Sequence, residues 1–459
     1  MSNPGEADAT PITSARQLAE YLASGCKPRD AWRIGTEHEK FGFRLDSLAP
    51  PPYEPDGIRA VLDGMEKQGS ADQGWSAIED RGRPIGLQGR GGNKGASVSL
   101  EPAGQLELSG APLADLHATE AELHAHFAAV RRAAEPLGLG FAPLGFHPLA
   151  TRDEMPRMPK SRYAIMQGYM PKVGTMGLDM MLRTCTVQVN LDFGSEADMA
   201  RKLRVALALQ PLATALFANS PFREGQPSGF LSTRAHVWTD VDAARSGMPA
   251  LMFEDGFGFE PFVRWALDVP TYFVLRDGRY VNLAGQSFRD AMAGRIAEVG
   301  RATLGDFADH ITTIFTDVRL KRFLEMRGAD AGSPAMMLAL SAFWVGLLYD
   351  DAALAAAEAL VRRRPWAEYA SLRPIVPRLG LDAPFGAGTL RDLARDAVAI
   401  AQGGLRGRRA LGIADESGYL EPVEAIVAGA PTQAEHALAL FATNWRGDAG
   451  HALRDATIY

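Results

Sequence analysis

Two thiols, Cys26 and Cys185, are the whole cysteine content of 459 residues. That excludes a disulfide scaffold and fits a reducing compartment. The N-terminal MSNPGEADATPITSARQ lacks a basic start followed by an apolar core, so the expectation is a cytoplasmic protein without a secretory leader. No run approaches the roughly 18 apolar residues that span a bilayer. The most apolar stretch, Met336 to Tyr349, contains Trp344 and Gly346 and reads as a buried element. Positive charge is also short: 48 Lys and Arg against 55 Asp and Glu give a net charge of -7. A nucleic-acid partner is therefore not expected, and a polyanion would bind only where metals or local Arg and Lys reverse the field. Two Cys and nine His offer no zinc spacing. GRGGNKGAS lacks the GK[ST] ending of a phosphate loop, GFGFE is not GxGxxG, and there is no GxSxG elbow.

What is present is a chain that is 46% hydrophobic, enough to bury a large core and to exclude disorder. A helix is expected from Ser14 to about Ser24, with Thr13 or Ser14 as its cap and Gly25 after it. Apolar residues at three- and four-residue steps predict helices over 113–135, 196–218, 351–363, 389–402 and 432–445. WRIGTEHEKFGF, Ser97–Leu100, Gln105–Ser109 and TCTVQVNLDF read as strands, as does LDVPTYFVLRDGRYVNL with a turn at Arg276-Asp277-Gly278-Arg279. STRAHVWTD is a further strand candidate, and the Gly- and Arg-rich segment from Asp80 to Gly95 reads as a long turn. Strands and helices mix without a βαβ rhythm, which favours an α+β fold: an antiparallel sheet carrying the site, with helices over one face. No linker divides the chain, so a single domain over 1–459 is expected, its helical C-terminal region from about 350 packed on the rest.

Three strands carry polar stripes. Thr184, Thr186, Gln188, Asn190 and Asp192 alternate with Cys185, Val187, Val189, Leu191 and Phe193. Glu37 and Glu39 share a face roughly 6.6 Å apart, opposite Thr36, His38 and Lys40; His38 reads as a hydrogen-bonded structural histidine. In SLEPAGQLELSGAP, Glu101 precedes a break, and Gln105, Glu107 and Ser109 alternate with Leu106 and Leu108. Each stripe alone also fits a solvated strand face. Three together point to a shared site for hard Mg²⁺, which takes one or two carboxylates plus substrate phosphates. Cations for an anionic substrate are Arg183, Arg234 and the cluster Arg319, Lys321, Arg322 and Arg327 around Glu325. Glu325 and Arg327 share a face if the segment is extended; a helix with i,i+4 ion pairs is the alternative.

GTEHEKFGF, SLEPAGQLELSGAP, MMLRTCTVQVNLDF, FEDGFGFE, ALDVPTYFVLR, HITTIFTDVRLKRFLEMRGAD and FWVGLLYD together resemble the plant and proteobacterial type of glutamate–cysteine ligase, from about residue 12 onward. The resemblance implies a glutamine-synthetase-like fold whose curved antiparallel sheet forms a funnel with helices outside. It implies L-glutamate, L-cysteine and ATP as substrates, with two or three Mg²⁺ ions, in a monomer or weak homodimer that binds no membrane. The reaction expected is ligation of the glutamate γ-carboxyl to the cysteine amine through γ-glutamyl phosphate, the first step of glutathione biosynthesis; the alternative is a related ligase with another amine. Carried over, Glu37, Glu39, Glu101, Glu107, Asn190 and Glu325 would be the metal set. Arg234, Arg183 and Thr184, with Gln105 and Tyr272, would bind the amino acids, Tyr272 on the cysteine side. Arg327, Lys321 and Gln188 would meet the nucleotide, and Arg327, Glu325 and Arg234 would serve catalysis. Plant members carry further cysteines linked to redox control; where they have a pair, this chain reads YVNLAGQSF.

Overall fold

The computed structural model describes residues 8–69 and 74–458, so the first seven residues of the segment read for a leader lie outside it. A nine-stranded sheet forms the centre. Its strands are β1 (Ile34–Arg44), β2 (Gly74–Asp80), β3 (Arg83–Arg90), β4 (Ser97–Leu100), β5 (Leu106–Ser109), β6 (Leu139–Ala142), β7 (Thr186–Leu191), β10 (Val318–Leu320) and β11 (Leu324–Asp330). The order is β10-β11-β7-β1-β5-β4-β3-β2, with β6 also paired to β1, and every neighbouring pair is antiparallel. The expected α+β architecture is present. A separate hairpin of β8 (Pro270–Arg276) and β9 (Arg279–Ser287) turns at Asp277 and Gly278, whose φ of 48° and 71° suit a two-residue hairpin turn.

Alternation along β1 decides which side chains meet the site. Thr36 and Lys40 point to the helices: Thr36 Oγ1 meets Ser341 Oγ at 2.9 Å, and Lys40 Nζ meets His38 Nδ1 at 2.9 Å and His126 Nε2 at 3.0 Å. Glu37 and Glu39 take the other face. Register then sets their neighbours, with Glu39 opposite Glu107, Glu37 opposite Gln188, and Asn190 opposite Glu325. The ladder of β11 bulges between Met326 and Ala329, beside Arg327, which bends the strand there.

The helices used below are α1 (Ala15–Ala23), α2 (Leu116–Ala134), α3 (Ser161–Tyr169), α4 (Glu196–Leu216), α5 (Thr233–Val237), α6 (Pro334–Leu348), α7 (Asp351–Val361), α8 (Leu390–Gly407) and α9 (Gln433–Ala442). Ser14 caps α1, accepting from Gln17 N. Buried residues run all round α6, as its sequence implied. It meets α8 backbone to backbone: a Cβ on Gly346 would stand 2.2 Å from the Ala401 carbonyl, and one on Gly404 would stand 1.9 Å from the Gly346 carbonyl. Gly346→Ala is expected to lower stability by about 1–3 kcal/mol through forced separation of the two helices, read as a fall in melting temperature. No single described helix is long and apolar enough to cross a membrane; the one bent pair of sufficient length, α6 with α7, breaks by 90°.

Two expectations are corrected. STRAHVWTD is not a strand but contains α5, because Ser232 accepts from Ala235 N and so caps a helical turn. Asp80–Gly95 is not one long turn. Arg81 and Gly82 turn at φ 51° and 73°, and β3 then pairs with both β2 and β4, burying Ile85 and Leu87. The glycines that suggested a loop permit a close approach: a Cβ on Gly89 would lie 1.9 Å from the Asn93 carbonyl oxygen.

Candidate active site

Two cavities follow one another along the inner face of β1 and β7. One is lined by Glu39, Glu101, Glu107, Gln188, Arg234 and Arg327, with Arg162, Arg319, Tyr163, three methionines (Met166, Met180, Met181) and Phe273. The other is lined by Glu37, Asn190, Asp192, Lys27, Arg33, Ser97, Ser109, Arg322 and Phe323. The two-residue step from Glu37 to Glu39, repeated from Asn190 to Gln188, assigns each residue to its cavity.

The carboxylates are held in place but crowded. Glu37 accepts from Asn190 Nδ2 at 2.7 Å and Gln188 Nε2 at 3.3 Å. Glu39 accepts from Thr186 N at 2.9 Å, Glu107 from Ser99 Oγ at 2.6 Å, and Glu101 from the Tyr163 hydroxyl at 3.2 Å. Burial raises the Glu39 carboxyl well above the usual range, and Glu101 and Glu107 raise it further. Burial, with Glu325 and Glu107, also raises Glu37. Like charges directly opposite across a ladder destabilise it, so Glu39 facing Glu107 is a standing cost without a cation.

Glu325 differs. It accepts from Arg319 at 2.5 Å, Arg327 at 2.6 Å and Lys321 at 2.8 Å. Burial would raise its carboxyl, but Arg319, Lys321 and Arg327 overcome that and hold it well below the usual range. Arg327 also donates to Gln188 Oε1. Arg234, 3% exposed, donates from Nη2 to the Arg327 carbonyl at 2.9 Å, while its Nε has no partner.

Several expected residues are placed differently. Arg183 lines neither cavity: its guanidinium pairs with Asp179 and Glu224 over the Phe146 ring. Tyr272 is fully buried, stacked beneath Arg245 at 3.9 Å, and only its neighbour Phe273 reaches the cavity. Gln105 lines the cavity, but its amide accepts from Ala103 N and donates to the Met181 and Thr184 carbonyls, so it fixes the loop. Thr184 likewise lines the cavity, with its hydroxyl donating to the Met180 carbonyl. Lys321 is turned to Glu325 and lines neither cavity, and Gln188 lies on the cavity of Glu39, not that of Glu37. Glu325, with both oxygens engaged by cations, anchors Arg327 and is not a ready metal ligand. Arg162, Lys27, Arg33 and Phe323 were missed. Arg162 sits on a helix, where no polar stripe marked it, and its Nε has no partner. Lys27 and Arg33 meet the site through Asp192, which takes the Lys27 ammonium at 2.7 Å and Arg33 N at 2.8 Å.

A profile described as glutamate-cysteine ligase family 2 (GCS2) matches residues 33–455. The chain belongs to that family. It is 50% identical to the chloroplastic glutamate–cysteine ligase B of Oryza sativa subsp. japonica, over 95% of this chain and 85% of the rice protein. It is 50% identical to the chloroplastic glutamate–cysteine ligase of Arabidopsis thaliana, over 95% and 81%. Among solved structures, the glutamate–cysteine ligase of Francisella tularensis in complex with AMP superposes with a TM-score of 0.55 at 12% identity, covering 93% of this chain and 88% of that one, which supports the glutamine-synthetase-like fold. A ligase of this family therefore stands behind the two cavities. The cytoplasmic expectation does not stand, because these plant relatives are chloroplastic proteins.

Both thiols of this family member are free. Cys185 is fully buried; burial, then Glu39, raise its thiol well above the ordinary value. Burial and the carboxylates of Glu196 and Asp198 raise Cys26. Neither is activated as a thiolate. Activity and elution volume are expected to be the same in dithiothreitol and mild oxidant, and Cys26→Ser to behave as wild type; a non-reducing gel with an oxidised species of altered turnover would contradict this.

Proposed function

We propose that this ligase joins the γ-carboxyl of L-glutamate to the amine of L-cysteine at the expense of ATP, as the first step of glutathione synthesis. The observation that carries the reading is one sheet face presenting Glu37 to one cavity and Glu39 and Glu107 to the next, with Arg234, Arg319 and Arg327 grouped on the second. In this reading the nucleotide lies in the cavity of Glu37 and Asn190, where Lys27, Arg33 and Arg322 meet its anionic part. Glutamate lies in the cavity of Glu39, its α-carboxylate on Arg234.

The fit to Mg²⁺ rests on donor chemistry. Asn190 Oδ1 is buried without a partner, and the crowded carboxylates are hard oxygen donors. Among the described residues no three His, Cys, Asp or Glu side chains are gathered to hold an ion. Glu37 with Asn190, and Glu39 with Glu101 and Glu107, would hold them. Bound there, Mg²⁺ would supply charge neutralisation for two anions that must meet.

A carboxylate does not react with an amine at neutral pH. The glutamate γ-carboxylate therefore attacks the γ-phosphorus of ATP, releasing ADP and forming γ-glutamyl phosphate. The cysteine amine then attacks the acyl carbon; phosphate leaves with the C–O electron pair, and the amine loses a proton. Arg327, positioned by Glu325 and Gln188, donates to the transferring phosphoryl group, where charge develops. Arg234 fixes the glutamate so that only its γ-carboxylate reaches the phosphorus. ADP release should require glutamate, an amine and Mg²⁺ together. A scan of cysteine, 2-aminobutyrate, glycine and ammonia should rank cysteine first by kcat/KM; a clear preference for ammonia or glycine would overturn the assignment.

A further inference from the structure

A small chamber adjoins the substrate cavity across a shared wall. Arg234, Trp238, Phe315 and Arg327 line both spaces, and Asp317 and Arg373 close the far side. Phe315 and Trp238 meet edge-on with ring centroids 5.7 Å apart. Three guanidinium groups line the chamber with Asp317; behind them Arg234 Nη1 stands 4.0 Å from Asp330 and Arg327 Nη1 2.6 Å from Glu325. Two donors buried there have no partner, Arg234 Nε and Trp238 Nε1, and a buried donor left unmet is costly. Arg373 donates to Asp317 at 2.9 and 3.2 Å and to the Trp238 carbonyl at 3.0 Å. The Asp317 and Arg373 side chains are 17% and 23% exposed, so solvent touches this ion pair.

Unmet donors among grouped guanidinium groups call for an oxyanion, and donors converging from several elements suit a tetrahedral one. We propose that the chamber binds inorganic phosphate and is the route by which that product leaves. The proposal rests on the ligase reading above. In that reading phosphate is freed beside Arg327 while ADP fills one cavity and the dipeptide the other. Both directions along the sheet are then blocked, and the chamber shares Arg327. Exit past the outer pair requires Arg373 to exchange Asp317 for the departing anion. A carboxylate, such as the glutamate head group, is the other anion that these donors would accept, so the test must separate the two.

The test uses the full chain. Inorganic phosphate is titrated as a product inhibitor of ADP formation, and its ³¹P line width is followed on the enzyme without nucleotide. Arg373→Gln should raise the phosphate inhibition constant about tenfold or more and abolish the line broadening, with KM for glutamate and for ATP within about twofold of wild type. Asp317→Asn removes the competing carboxylate and should tighten phosphate binding by about threefold; its opposite sign decides the matter if Arg373→Gln does not fold. Unchanged phosphate binding in both variants overturns the proposal. So does a rise in KM for glutamate in place of the phosphate effect, which would give the chamber to a carboxylate. If the wild type forms no ADP at all, it is the ligase reading that fails, and the line width still decides whether the chamber takes phosphate.

Discussion

Glu39→Gln is expected to abolish turnover while leaving the protein folded, and to raise its melting temperature when Mg²⁺ is absent. The substitution keeps an oxygen that accepts from Thr186 N and removes a charge facing Glu107. Without ions the wild type gains from a proton on Glu39, whose carboxyl burial and then Glu101 and Glu107 hold well above the usual range. That stability is fully present below the ordinary carboxylate value and is lost as pH rises from there through the raised one; Gln removes the loss. With Mg²⁺ the order reverses, because only the wild type supplies the anionic ligand. Several kcal/mol of charge stabilisation would go, a fall of roughly 10³-fold or more in kcat. Protons and Mg²⁺ compete for the same oxygens, so the apparent Mg²⁺ requirement should increase as pH falls. EDTA should silence the wild type reversibly. Normal turnover in Glu39→Gln would contradict the metal assignment.

Arg327→Lys and Arg234→Lys should fail in different ways. Arg327 bridges Gln188 and Glu325 in the wall of the Glu39 cavity, and in the proposed reaction charge grows on the phosphoryl group it meets. Lysine keeps the charge but loses the fork, so kcat should fall about 10²–10³-fold, as for loss of one oriented donor, with KM for glutamate nearly unchanged. Arg234 lies buried on the glutamate side. Its replacement should raise KM for glutamate roughly 10–100-fold, the range of a lost charge-assisted hydrogen bond, and affect ATP little. Steady-state kinetics in both substrates separates the two; an identical pattern in both variants would refute the division of labour.

The part of this site legible in the sequence is the part that alternates. A two-residue period fixes which face of a strand a side chain takes, so Glu37, Glu39, Glu107, Gln188, Asn190, Glu325 and Arg327 all come together on one face once register is set. Register itself, a matter of long-range pairing, was not legible, and with it the distinction between carboxylates open to an ion and Glu325, which three cations already hold. Residues approaching from helices and loops left no period to read. Arg162 lies in the cavity from α3, and Arg183, one residue before a polar stripe, turns away to Asp179. β3 was hidden because its glycines, needed where backbones nearly touch, look like those of a loop. The helical reading of α2, α4, α7, α8 and α9 held to within a few residues, since each is long and its apolar positions recur.

In the proposed reaction the γ-carboxyl of glutamate is phosphorylated before cysteine displaces the phosphate. Glutamate labelled with ¹⁸O in its γ-carboxyl, incubated with the purified protein, ATP, Mg²⁺ and cysteine, tests this directly by mass spectrometry of the products. The expected products are γ-glutamylcysteine and ADP in equal amounts, with one ¹⁸O atom from each labelled carboxyl appearing in the released phosphate. Dipeptide formed with no ¹⁸O in the phosphate, or phosphate released with no dipeptide, would contradict it.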